Sequence, residues 1–92
     1  MADDGNIEHS DALTPFYRAV DATSLGRSIA GARKEAALTQ HDLALKLGVT
    51  RGTIVRLEAG GAVSMVVAMQ AIRAVGRDVA LVPRFSKLQV RP

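Results

Sequence analysis

Three side chains that can bind a phosphate or a base edge lie within the six residues that follow residue 50. Arg51, Thr53 and Arg56 belong to the stretch LTQHDLALKLGVTRGTIVRLEAG, residues 38–60. A guanidinium group donates hydrogen bonds in a planar fork that fits a phosphate or the edge of guanine. A threonine hydroxyl can also reach a phosphate. Such a cluster needs a short, rigid element to hold it, and the same stretch contains the signals for two helices.

Two helix starts lie within a dozen residues of each other in this stretch. Thr39 and Thr50 have hydroxyls that can cap the free amides of a first helical turn. The side chain of Asp42 can in turn accept a hydrogen bond from the backbone amide of Thr39, which forms a shortened capping box. Gly48 favours the left-handed backbone that ends a helix. Because so short a connection makes two helices cross steeply, the small Ala44 is expected at their closest approach.

Apolar spacing predicts which side of each helix faces the interior. The wedge between the two helices should be filled by Leu43, Val49, Ile54 and Leu57. The outer face of the second helix is then free of core packing and consists of Arg51, Gly52, Val55 and Arg56. A helix held outward with a basic face fits the major groove of B-DNA.

Further helices are predicted on both sides of this pair, so the fold is expected to be mainly α, with four or five helices. Ser24 is the predicted N-cap of an earlier helix, and Ser64 of a later one that ends at Gly76. We divide the chain into an acidic arm (1–23), a helical domain (24–76), a β-like run (77–83) and a basic tail (84–92). In the arm, Phe16 and Tyr17 could pack on the body or contact a partner.

Charge is unevenly distributed along the chain. Residues 1–23 hold five acidic residues and one arginine, a net charge of −4, whereas the other 69 residues hold eleven basic and four acidic ones, or +7. A basic body of this size suits a polyanionic partner, although many small domains are basic without binding one. With 92 residues and no cysteine, a buried catalytic cleft, a thiolate metal site and a disulfide are not expected.

No phosphate-binding loop, metal-ligand cluster or nucleophile beside a histidine is apparent, so we expect no enzyme activity, no metal and no cofactor. No secretory signal or membrane-length apolar stretch is visible either. We therefore expect a cytoplasmic protein without a membrane partner.

Residues 25–76 resemble the Cro/XRE-type, or lambda-repressor-like, helix-turn-helix family. The resemblance is carried by LTQ at 38–40, by Ala44 and Gly48, and by RLE at 56–58 with a glycine at position 60. It implies a homodimer on a palindromic, double-stranded DNA operator. It also assigns roles to residues. The DNA contacts implied are Gln40, Thr50, Arg51, Gly52, Thr53 and Arg56, and the implied structural salt bridge joins Arg33 to Glu58.

Several of these roles have alternatives that the sequence leaves open. Gln40 could instead bond its own helix end, Thr53 could support the helix start, and Arg56 could read guanine or clamp a phosphate. Gly52 departs from the family pattern, which has a polar side chain at this position, and so removes one potential reader of the bases.

The run RDVALVP at 77–83 is read as a short strand, and a lone strand needs a partner. Pairing with the same strand of a second protomer would form a dimer seam through Val79, Ala80, Leu81 and Val82. This arrangement, and the phrase AIRAVGRDVALVPR, resemble HipB-like antitoxins. That resemblance implies a HipA-like kinase toxin as a second partner. A dimeric repressor without a toxin explains the same features, and so in part does an interaction module that has lost DNA binding.

Overall fold

The computed structural model describes residues 16–84. Within them, four helices follow one another: α1 (Ala22–Glu35), α2 (Gln40–Leu47), α3 (Arg51–Glu58) and α4 (Met65–Ala74). Helix α3 packs against both α1 and α2, and α4 packs against α2. The expectation of a mainly α fold with four or five helices is confirmed, with four helices in the described residues. None of the helices in this part of the chain is long and apolar enough to cross a membrane.

The core is aliphatic and includes residues from all four helices. Its buried side chains are Ile29, Ala32, Leu43, Ala44, Ile54, Leu57, Ala71, Ile72 and Val75. Leu43 and Ile54 have no exposed surface, which places the centre of the core between α2 and α3. Val49 is half-buried against the same cluster. The four side chains predicted to fill the wedge therefore do so.

Helices α2, α3 and α4 begin where the sequence predicts. The hydroxyls of Thr39, Thr50 and Ser64 each accept a hydrogen bond from the backbone amide three residues later. At α2 the capping box is complete, because the Asp42 carboxylate accepts from the Thr39 amide at 2.9 Å. Hydrogen bonds from the backbone and hydroxyl of Thr39 favour the ionised carboxylate and lower the pKa of Asp42.

The predicted N-cap of α1 was wrong by three residues. Asp21 caps the helix, with Oδ1 accepting from the Ser24 amide at 2.8 Å. Ser24 is instead the third helical residue, and its hydroxyl accepts from the Asp21 amide at 3.0 Å. Both residue types are good N-caps, but only Asp21 has a side chain three positions on that can complete a capping box.

Each helix is followed by a residue with left-handed backbone. Three of these are the glycines Gly48, Gly60 and Gly76, and the fourth is Ala37, with φ of 61°. After α1, the amide of Ala37 donates to Lys34 O and that of Leu38 to Arg33 O, which is a Schellman motif. A β-carbon is disfavoured at such a position, so α1 ends on a locally strained residue.

Residues 77–83 form neither helix nor strand in the described chain. The strand predicted there is therefore not formed within one protomer. A strand that pairs across a dimer axis has no mate in a single chain, so pairing between protomers stays a prediction.

We predict that Ala37→Gly stabilises the fold by about 0.5–1 kcal/mol, because glycine adopts the left-handed backbone without steric cost. Gly48→Ala is the matched control, because it introduces a β-carbon at a residue with left-handed backbone. Here φ is +69° and no atom lies within 4 Å of the added β-carbon, so only backbone strain should change. We expect this variant to lose about 1 kcal/mol. Urea denaturation of both variants measures the two effects. If Ala37→Gly lowers the free energy of unfolding, the backbone of Ala37 is not strained.

Candidate nucleic-acid interface

Helix α3 presents its polar side outward because its apolar side is buried. Ile54 and Leu57 lie in the core, whereas Arg51, Gly52 and Arg56 are exposed. Thr53 is half-buried, and its hydroxyl lies 3.1 Å from that of the N-cap Thr50. The side chains predicted to face a DNA groove thus lie on the surface of α3 or at its start.

Gln40, at the start of α2, joins this surface to the interior of the protein. Its Oε1 accepts a hydrogen bond from Nη2 of Arg51 at 3.1 Å. Its Nε2 donates to Oε1 of Glu58 at 3.0 Å. The amide therefore bridges the first and last residues of α3. The alternative in which Gln40 bonds its own helix end is not what the structure shows.

Arg33 and Glu58 form the ion pair that the family resemblance implied. Nε of Arg33 donates to Oε2 at 2.6 Å and Nη2 donates to Oε1 at 3.0 Å, a two-pronged contact. Only 9% of the arginine and 8% of the glutamate side chain is exposed. Hydrogen bonding to Glu58 raises the pKa of Arg33 above its ordinary value. Nη1 also donates to Leu38 O at 2.8 Å, which holds the turn between α1 and α2.

Arg56 is held separately from Arg51. Its Nε donates to the carbonyl oxygen of Ala62 at 3.2 Å, in the loop that follows α3. Its side chain passes over Gly61, where an added β-carbon would lie 2.7 Å from Arg56 Cγ. This contact is not among those expected from the sequence. The adjacent glycines at 60 and 61 were its only sequence signal.

Gly52 leaves the backbone of α3 open at the surface. A β-carbon added there would meet only the Thr50 hydroxyl oxygen, at 3.8 Å. Packing within residues 16–84 therefore does not require glycine at this position, although glycine lowers helix propensity by about 1 kcal/mol relative to alanine.

A second polar cluster, away from α3 in sequence, binds the segment before α1 and the residue Arg77 after α4 to the end of α1. The Tyr17 hydroxyl donates to Glu35 Oε2 at 2.7 Å, and Arg77 Nη2 donates to Glu35 Oε1 at 2.8 Å. The Arg77 guanidinium also lies 5.2 Å from the centre of the Tyr17 ring. The hydrogen bond to Glu35 raises the pKa of Tyr17. Tyr17 thus packs on the body, whereas Phe16 remains 60% exposed.

The four residues predicted to form the dimer seam lie on the surface. Leu81 is 95% exposed, and Val79 and Val82 are about half exposed, at 49% and 47%. They line a groove of about 950 Å³ together with the N-terminal segment, α1 and α4. Apolar side chains left exposed in this way are typical of a surface that another chain covers.

Comparison with known proteins agrees with this geometry. A family model described as helix-turn-helix matches residues 29–82, more than half of the chain. A protein of Methanothermobacter thermautotrophicus described as an uncharacterized HTH-type transcriptional regulator is 49% identical over 47 residues. The aligned part covers 50% of this chain and 68% of that protein.

We predict that removing one member of the buried ion pair destabilises the protein more than removing both. Glu58→Leu leaves Arg33 as an unpaired buried charge and should cost about 3–5 kcal/mol. The double variant Arg33→Met, Glu58→Leu removes the unpaired charge and should recover part of that loss. Chemical denaturation measures both. A double variant less stable than either single variant would contradict this explanation.

Proposed function

The chain belongs to the Cro/XRE-type helix-turn-helix family, and on that premise we propose that it is a transcriptional regulator that binds double-stranded DNA through α3. The observation that carries the proposal is the orientation of α3. Ile54 and Leu57 anchor the helix in the core, while Arg51 and Arg56 lie on its exposed side. A helix that is basic outside and anchored inside can enter a major groove without exposing the core.

The start of α3 and the start of α2 would approach the duplex together. The side chains of Arg51 and Gln40 are already hydrogen-bonded to each other, so they would contact the duplex side by side. Thr50 and Thr53 lie beside them and could donate to phosphates. Because Gly52 has no side chain, the α3 backbone could approach the groove floor closely, and readout of the bases would depend mainly on Arg51 and Arg56.

We further infer that the protein acts as a homodimer and repressor on a palindromic operator. Two copies of α3 would engage half-sites about one helical turn, roughly 34 Å, apart. The exposed apolar side chains of Val79, Leu81 and Val82 support a seam in this region. Ala80, between them, is exposed as well, and pairing of the 79–82 segments across a twofold axis would satisfy the backbone hydrogen-bonding groups along one edge of each segment.

The finer role that we propose is that of an antitoxin, which represses its own operon and sequesters a HipA-like kinase toxin. It is supported by the resemblance of AIRAVGRDVALVPR, residues 71–84, to HipB-like proteins. A dimeric repressor without a toxin remains the alternative. The product of the adjacent reading frame distinguishes the two, since only the antitoxin role requires a kinase there that co-purifies with this chain.

We predict that the protein binds the DNA upstream of its own gene with an affinity that falls steeply with salt, because each phosphate contact releases counterions. Arg51→Ala and Arg56→Ala should each cost about 1–3 kcal/mol of binding free energy. Arg73→Ala removes the same charge from α4, where the side chain is 76% exposed, and should change affinity little. Titrations by fluorescence anisotropy at two salt concentrations measure these effects.

The pattern of loss identifies what each arginine contacts. If the arginine reads guanine, its alanine variant loses affinity only for DNA with guanine at one operator position. If the arginine binds a phosphate, the variant loses affinity for every DNA sequence. Absence of binding at low salt, together with co-purification of a neighbouring gene product, would contradict DNA binding and favour an interaction module.

We predict that Ala80→Pro converts the dimer to monomer, because proline removes a backbone donor from a strand pair at the seam. Ala80→Ser keeps the amide and should remain dimeric. Sedimentation equilibrium over a concentration series measures the two states. If Ala80→Pro dimerises as well as the unmodified protein, the seam lies elsewhere on the surface.

A further inference from the structure

The loop after α3 folds back onto the last turn of that helix. The amide of Gly60 donates to Leu57 O at 3.0 Å, and the amide of Gly61 donates to Arg56 O at 2.8 Å. These are the two bonds of a Schellman motif, in which an apolar side chain after the turn usually contacts the residue at the position of Arg56. Here Gly61 offers no side chain, and the methylene groups of Arg56 occupy the vacated space.

The two glycines in this loop meet different requirements. Gly60 has φ of +84°, and an added β-carbon would lie 2.8 Å from Thr23 Cα, so both its backbone and its packing require glycine. Gly61 is absent from the positive-φ residues of the described chain. Its backbone therefore accepts alanine, and the constraint on Gly61 comes from Arg56, whose Cγ would lie 2.7 Å and whose backbone oxygen would lie 3.2 Å from an added β-carbon.

The same loop also fixes the far part of the Arg56 side chain. With Nε donating to Ala62 O, the side-on edge of the guanidinium is occupied. The end-on pair, Nη1 and Nη2, donates to no acceptor within residues 16–84. An arginine held at Cγ and Nε presents that pair in one direction, and two parallel donors suit either a phosphate or the edge of guanine.

We propose that Gly61 is a positioning residue for DNA binding, which acts by holding Arg56 against the loop so that its end-on donors face the duplex. This inference rests on the proposed function. An alanine at position 61 displaces Arg56 Cγ, breaks the bond from Nε to Ala62 and releases the guanidinium into many rotamers. Ordering the side chain again on DNA then costs conformational entropy that the unmodified protein does not lose.

A double-mutant cycle on the full chain tests this role, with the gene's own upstream DNA as the probe. We expect Gly61→Ala to weaken binding about threefold to thirtyfold when Arg56 is present, and to have a much smaller effect in the Arg56→Ala background, where only the contact with the backbone oxygen of residue 56 remains. Hydrogen exchange of the Arg56 Nε–H, followed by NMR in the free protein, should be faster in Gly61→Ala. Circular dichroism at the assay temperature checks that each variant is folded.

The outcomes separate this proposal from the broader one. If Gly61→Ala weakens binding equally in both backgrounds, Gly61 acts independently of Arg56 and the proposal is overturned while DNA binding stands. Unmodified affinity together with unchanged Nε–H exchange in Gly61→Ala overturns it as well. If the unmodified protein does not bind the DNA at low salt, the proposed function fails and this role fails with it.

Discussion

The position of α3 depends on a carboxylate that must not be left unpaired. Glu58 is the last residue of α3. The C-terminal end of a helix is the negative end of its dipole, which disfavours the negative charge of a carboxylate. The side chain of Glu58 is also nearly excluded from solvent, and a buried unpaired charge costs several kcal/mol. Arg33 meets this requirement from α1. The C-terminal end of α3 is therefore tied to α1 in a single geometry.

Close backbone contact supports the same junction. A β-carbon on Gly26 would lie 2.5 Å from Glu58 O, so α1 can approach the end of α3 only because that residue has no side chain. Arg33 makes its two-pronged contact from two turns further along α1. The small residue sets the distance between the helices, and the ion pair sets their rotation. The burial of Ile54 and Leu57 determines which side of α3 faces outward, and the ion pair holds the end of the helix in that orientation.

Much of this could be predicted from the sequence, because the decisive signals are local. Helix starts at Thr39, Thr50 and Ser64 need only a hydroxyl and a free amide three residues on, and apolar spacing identifies the core. The ion pair was implied by family resemblance alone. The bridging role of Gln40 could not be predicted, because it depends on where the end of α3 returns in space.

The contact between Arg56 and Ala62 could not be predicted for a related reason: a backbone carbonyl acceptor leaves no mark on residue type, and the glycines at 60 and 61 indicate a turn without indicating which side chain packs on it. The strand at 77–83 was a different kind of expectation, since its residues favour β-structure but one chain supplies no mate. The N-cap of α1 was misplaced because two good capping residues stand three positions apart, and only their reciprocal bonds decide between them.

Helix α3 exposes few polar side chains, but its two arginines are both held by hydrogen bonds within the protein. Arg51 is bonded to Gln40 and Arg56 to the Ala62 carbonyl, so both are ordered before any ligand arrives. Immobilising a free, long side chain on binding costs about 0.5–1.5 kcal/mol, and prior ordering reduces that cost. Because Glu58 Oε1 accepts from both Arg33 and Gln40, the ordering of Arg51 is linked to the ion pair that fixes α3. A surface with few contacting side chains can bind well when the fold holds each of them in position, and here one carboxylate contributes to holding both the helix and one of its arginines.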